Sequence, residues 1–258
     1  MRKILLQIQY KGTAYHGWQV QKGKKTVQGE LQRVLSDFLR ENVVLVASGR
    51  TDAGVHARAQ YAHFETKSSF DFSRLPMAVA RLLPPDIAIV SAVEVPNTFH
   101  ARFGAKQKTY HYMCYISQVR LPLLDEFALQ IKQELDVELM QQEAQNFVGT
   151  HDFSSFSANP KDPAEEEDFA DEKTLKQKTN IRTIYSCDIE QTDNIITFKI
   201  TGNGFLHNMV RIMVGTLIEI GQGKITTGVK HIISEKDREC AGQTMPPHGL
   251  VLDDVKYN

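Results

Sequence analysis

Ser48 to His56, SGRTDAGVH, places one carboxylate, Asp52, and one guanidinium, Arg50, between two glycines. Gly49 and Gly54 allow a sharp turn and a close approach by a ligand. The chemistry on offer is that of a single ionised carboxylate, which can stabilise a cationic centre, capture it covalently or remove a proton. Val43 to Val46 reads as a buried strand before the loop and Ala59 to Thr66 as a strand after it. Asp52 then stands on a loop tip held by two rigid elements, a common setting for a functional side chain. The alternative is an aspartate that only caps its own turn.

The second candidate is Arg211. Phe205 to Ile220 reads as a helix apolar around almost its whole circumference, with Arg211 inside it, His207 one turn before and Gly215 one turn after. A buried guanidinium needs a carboxylate, and Asp52 is the natural partner, although another acid would serve a purely structural pair. Tyr110 and Tyr112 share a strand face and can either stack on bases or fill a core; Tyr112 reads as core. Phe99 to Phe103, FHARF, adds a basic and aromatic cluster. Gly202-Asn203-Gly204 puts His207 where a dinucleotide fingerprint needs its third glycine, and Gly223-Lys224 lacks the glycine spacing of a phosphate loop.

Composition sets outer bounds. With 258 residues, 41% hydrophobic and 24% charged, the chain reads as a soluble protein of one large or two ordinary domains. No apolar run approaches a membrane span, and the N-terminus does not resemble a signal peptide. Cys114, Cys187 and Cys240 lie far apart, which fits reduced thiols in the cytoplasm and no zinc site. The net charge of −1 argues mildly against a nucleic-acid partner. Residues 161–180 hold seven acids and four lysines; without them 26 basic residues face 24 acidic ones, about +2. Any nucleic-acid surface must therefore be a local patch.

The elements that carry these residues alternate. A strand at 3–9 leads into a loop at 11–19, which suits either a ligand or an ordinary connection with Trp18 in the core. Thr26 can cap a helix with apolar Val27, Leu31, Val34, Leu35, Phe38 and Leu39. A helix at about 73–83 ends at Pro84-Pro85, and Ile87 to Val95 is a strand, completing a β-α-β-β-α-β ferredoxin-like order. The pattern partly repeats: a strand at 109–116, a helix at 136–148, a hairpin of 182–190 with 195–201, the Arg211 helix, a shorter helix at 227–234 and a strand at 250–257. The expected fold is α/β, with two ferredoxin-like lobes, 1–104 and 105–258, sharing a large mixed, mainly antiparallel sheet flanked by helices. The acidic stretch at about 160–178 is expected to be a solvated, mobile insertion.

SGRTDAGVHA, with YKGTAYHGWQVQ and TVQGEL before it and FHARF, YHY, GTHDFSSF, GNGFLHNMVRIMVG and HGLVL after it, resembles the tRNA pseudouridine synthase A family over nearly the whole chain. The resemblance implies that Asp52 is the catalytic nucleophile, Arg211 its ion-pair partner and Tyr110 the residue that stacks on the target base. Arg50 and Arg58 would hold RNA, and Leu250 would pack in the site. It also implies uridines at positions 38, 39 and 40 of the tRNA anticodon stem-loop as substrate, a homodimer, and neither metal nor organic cofactor. Gln107-Lys108-Thr109 is poorer in arginine than many relatives, and the acidic insertion is longer. Two rivals remain open: a glycosylase that releases free uracil, and a non-catalytic RNA-binding module.

Overall fold

The structure is a computed structural model and describes residues 1–158 and 179–257, so the acidic stretch at 160–178 lies outside the described residues. The fold is α/β, with a mixed, mainly antiparallel sheet of ten strands flanked by helices. Two compact units make it up: Met1–Tyr110 with Pro247–Asn258, and His111–Pro246.

The first unit is the split β-α-β-β-α-β arrangement. Strand β1 (Arg2–Tyr10) lies between β3 (His56–Thr66) and β4 (Ile87–Val95), antiparallel to both, with Ile4 opposite Phe64 and Ile8 opposite Ile89. Ile4, Leu6 and Ile8 are fully buried. Helix α1 (Val27–Leu39) starts where the Thr26 hydroxyl accepts from the Gly29 amide at 3.3 Å, and it buries Val27, Leu31, Val34 and Leu35. These four belong to the stripe expected from the sequence; its last two residues, Phe38 and Leu39, are only half-buried.

The run before the Asp52 loop departs from expectation. Only Val46–Ala47 forms a strand, β2, paired with the far end of β3; Val43 and Leu45 are buried but Val44 is half-exposed. Side chains of α1 occupy the backbone groups that a partner strand would take. Ser36 Oγ accepts from the Val43 amide, Gln32 Oε1 accepts from the Leu45 amide, and Gln28 Nε2 donates to the Leu45 carbonyl. Helix α2 (Leu75–Val79) is also shorter than expected, preceded by a 3-10 turn at Phe72–Arg74 that Asp71 caps.

The last strand, β10 (Leu250–Lys256), belongs to this unit. It runs parallel to the start of β3, with Val251 opposite His56 and Leu252 opposite Ala57. Strand β5 (Gln107–Ile116) begins in the first unit and continues into the second.

In the second unit β6 (Leu129–Ile131) pairs parallel to β5, and β7 (Gly149–Asp152) pairs antiparallel to β8 (Ile181–Thr192). A hairpin joins β8 to β9 (Ile195–Gly202) through Asp193, at φ 53°. Among the described residues its α-helices are α3 (Val137–Ala144), α4 (Met209–Gly221) and α5 (Val229–Glu235). Helix α4 is buried nearly all round, as its composition requires, but it starts at Met209 because Asn208 is left-handed, φ 60°. His207 therefore precedes the helix and shares no facet with Arg211. Gly215 lies where the chain returns over α4: a Cβ there would overlap the Gln243 carbonyl oxygen. Among the described residues no helix is long and apolar enough to cross a membrane.

This packing reverses the usual effect of removing a helical glycine. In an exposed helix, glycine to alanine stabilises by about 1 kcal/mol. Gly215→Ala should instead destabilise by roughly 2 kcal/mol, because the neighbouring backbone must move. Thermal melts should show a lower Tm for Gly215→Ala than for wild type.

His63 makes stability depend on pH. It is buried and accepts the Ala101 amide through Nδ1. Burial, then the charges of His100 and Lys3, lower its pKa from 6.5 to about 4. The unfolded chain therefore takes up a proton near pH 6.5 that the folded chain refuses until about pH 4. Stability from this group should be fully present above pH 6.5 and decline towards pH 4. Denaturant melts across that window should show a smaller decline in His63→Gln.

Candidate active site

The loop that carries Asp52 is fixed by polar groups of the first unit. Ser48 is fully buried; its amide donates to the Tyr61 carbonyl at 2.7 Å and its hydroxyl to Gln60 Oε1 at 2.6 Å. Gln60 Nε2 donates to the Gly49 carbonyl at 2.9 Å. The hydroxyls of Tyr10 and Thr51 are 2.7 Å apart. The Val55 amide closes the turn on the Asp52 carbonyl at 3.1 Å. Gly54 takes φ +81° there, with Pro247 packed against its α-carbon, so this glycine is required by conformation.

Residues 12–18 form the facing wall. The Trp18 amide donates to the Thr51 carbonyl at 3.1 Å and the Gly54 amide to the Tyr15 carbonyl at 3.2 Å. A Cβ on Gly17 would lie 2.5 Å from the Thr51 carbonyl oxygen, and one on Gly12 would overlap that of Val55. Trp18 itself is buried, its ring 6.0 Å from that of Tyr10, which is the core reading for this residue.

His56 ties the end of the loop down. Its Nδ1 accepts the Gly12 amide at 3.1 Å and its Nε2 lies 3.1 Å from the His248 carbonyl, so the neutral Nε2–H tautomer satisfies both partners. Leu250, buried, follows two residues later and opens β10.

The Asp52 side chain is half-buried. Tyr110 is buried, and its phenol is pushed well above the usual tyrosine range, first by burial and then by the charges of Tyr10 and Asp52. Tyr110 therefore stays neutral at physiological pH. Tyr112 is also fully buried, and its hydroxyl donates to the Pro246 carbonyl at 2.9 Å.

Cations gather around the loop. Arg50 is exposed and Arg102 half-buried; the Arg102 guanidinium is easier to deprotonate than usual because of burial and then the Arg50 charge. Lys108 lies against Gly49, where a Cβ would stand 2.6 Å from its Nζ. Arg58 is exposed, its Nη1 3.3 Å from Asp253. Like charges held together raise the free energy of the empty site and are relieved by a polyanion such as a phosphate backbone. Arg102 falls within the basic and aromatic FHARF cluster, and Lys108 stands in the arginine-poor segment before Tyr110. His56 closes the SGRTDAGVH stretch; Gln60 also serves the site and carries no local sequence signal that sets it apart.

Arg211 belongs to the second unit and is the third residue of α4. Its Nε donates to the Met245 carbonyl and its Nη1 to Asn208 Oδ1, each at 2.6 Å. Among the described residues no group of three His, Cys, Asp or Glu side chains comes together as a metal site, and the three cysteines are free.

A family model described as tRNA pseudouridine synthase matches residues 7–104 and 144–258. Curated proteins named tRNA pseudouridine synthase A from Caldicellulosiruptor bescii and Acetivibrio thermocellus are each 43% identical to this chain over 258 residues, covering the whole of both sequences. One of the same name from Exiguobacterium is 42% identical over 258 residues, with 98% of its own length covered. With a family model over most of its length and relatives this similar from end to end, the chain belongs to the tRNA pseudouridine synthase family, isomerases that act on uridines of tRNA.

Proposed function

We propose that this protein converts uridine to pseudouridine at positions 38, 39 and 40 of the tRNA anticodon stem-loop, with Asp52 acting on a uridine turned out of the stack. The observation that carries the reading is the half-buried Asp52 carboxylate on a loop pinned by main-chain and buried polar groups, its charge felt by the neutral phenol of Tyr110.

The reaction breaks the bond from ribose C1′ to N1, turns the uracil and joins C1′ to C5, after which C5 loses its proton. The target is stacked in an arm of the tRNA and must be extruded first. Cleavage builds positive character at C1′. Asp52 can stabilise it or bond to it, as the nucleophile of a retaining glycosidase does, or remove the C2′ proton to give a glycal. Either route needs one ionised carboxylate and no second acid to activate water.

Tyr110 stacks on the flipped base in this reading, and Leu250 supplies apolar surface that keeps the detached uracil in place. Arg50 and Arg58 bind phosphates; the Arg102 charge that bears on Arg50 supports the first, and the exposure of Arg58 allows the second. An ion pair between Arg211 and Asp52 completes the reading. Its support is chemical: a guanidinium on so apolar a helix calls for an anionic partner, and a paired carboxylate stays ionised and oriented. A homodimer and a cytoplasmic setting belong to the same reading; the first rests on family likeness and the second on the widely spaced, free cysteines.

The decisive experiment uses tRNA labelled with tritium at uridine C5. Wild type should release tritium to water and leave pseudouridine in the anticodon arm, while Asp52→Asn should lose at least about a thousandfold in rate with its fold and tRNA binding retained. Tight binding without release would favour the binding module. Free labelled uracil would favour the glycosylase.

A separate measurement tests the phosphate-binding arginines. Arg50→Ala and Arg58→Ala should each weaken tRNA binding and flatten the plot of log K against log salt by about one unit of slope for each phosphate the arginine neutralises. An unchanged slope would remove that residue from the interface.

A further inference from the structure

Four buried polar side chains lie under the Asp52 loop without being required to touch substrate. Tyr10, Ser48, Thr51 and Gln60 are each less than a tenth exposed. Gln60 is their hub. Its Oε1 accepts from Ser48 Oγ at 2.6 Å and from the Tyr61 amide at 3.1 Å, while its Nε2 donates to the Gly49 carbonyl at 2.9 Å. Gln60 is also a hydrogen-bond partner of the Tyr10 hydroxyl. The Tyr10 and Thr51 hydroxyls are 2.7 Å apart, and either can donate to the other.

Apolar residues of similar size would fill this space with no requirement for satisfied partners, so the polar set adds directional restraint more than stability. Its bonds hold Gly49 and Thr51, the latter adjacent to Asp52, against β1 and β3. The Tyr110 phenol is raised first by burial and then by the charges of Tyr10 and Asp52. The Tyr10 hydroxyl ties the residue before the carboxylate to β1.

We infer that Tyr10 and Gln60 are positioning residues for the isomerisation: through Thr51 and Gly49 they set the Asp52 carboxylate relative to Tyr110. The inference rests on the reading of Asp52 and Tyr110 proposed above. Misplacing a reacting group by about 1 Å can cost on the order of a hundredfold in rate. Losing one hydroxyl from this chain should thus slow the chemical step and leave RNA binding alone.

The test is the single-turnover rate of tritium release at saturating tRNA, with the tRNA Kd and Tm measured in parallel. Tyr10→Phe and Thr51→Val should each lower the rate by about 10- to 100-fold, with Kd within about twofold of wild type. Thr51→Ser, which keeps the hydroxyl, should restore the rate. Because both single variants break the same bond, the double variant should be little slower than the slower single one.

A Tyr10→Phe rate close to wild type, with Asp52→Asn inactive, would overturn the inference and leave the Asp52 reading standing. So would rate and Kd worsening together with a fall in Tm, which marks a merely structural role. If Tyr10→Phe does not fold, the contrast between Thr51→Ser and Thr51→Val decides: equal rates overturn the inference. Release that survives in Asp52→Asn would instead remove the reading beneath it.

Discussion

The candidate site depends on one close approach, that of the backbone at residues 12–17 to the backbone at 51–55. Gly12 and Gly17 leave no room for a Cβ against the carbonyls of Val55 and Thr51, and amide hydrogen bonds cross the gap in both directions. A loop held by main-chain groups cannot follow its side chains into alternative rotamers, so Asp52 inherits the rigidity of β1 and β3. His56 extends the same logic to the C-terminal segment, accepting from one strip of backbone and donating to another. Three pieces of chain distant in sequence thereby hold a single carboxylate.

Electrostatics then divides the surroundings of that carboxylate. Tyr110 is kept neutral by burial and by negative charge nearby, which suits a flat, uncharged surface for a base. The charges of Arg50 and Arg102 oppose each other and Lys108 lies against Gly49, an arrangement that suits a phosphate backbone. An overall charge of −1 is no obstacle, because the relevant quantity is the local density of cations around one loop.

Much of this is legible in the chain. The α1 stripe and the strand at Ile87–Val95 carry their period in local sequence, and both appear where the period puts them. Helix α4 is recognisable from its apolar surface, but its start is not: the left-handed Asn208 is a conformation the sequence permits without announcing. The run Val43–Val46 has the composition of a strand, yet Gln28, Gln32 and Ser36 of α1 take up much of its hydrogen bonding. The loop residues stand out because glycines around an arginine and an aspartate are unusual between apolar segments. Gln60 does not, because one polar residue in a strand looks alike whether it faces solvent or holds a loop. The meeting of Arg50 with Arg102 is a product of folding, with no local trace at either position.

A proline, a glycine and a histidine carbonyl show how the last residues serve the same end. Pro247 packs on Gly54, the His248 carbonyl faces His56, and Leu250 begins a strand that runs parallel to β3 from the loop outward. A parallel partner at this position needs no hairpin and can arrive from any distance in sequence, so the loop is buttressed by a segment far from it along the chain. The carboxylate then acquires its full support only when the two segments have come together. For an isomerisation that must keep a detached base from escaping, a site that exists only in the finished fold has a physical advantage. A half-formed site would offer the carboxylate without the enclosure, and cleavage without recapture would damage the RNA.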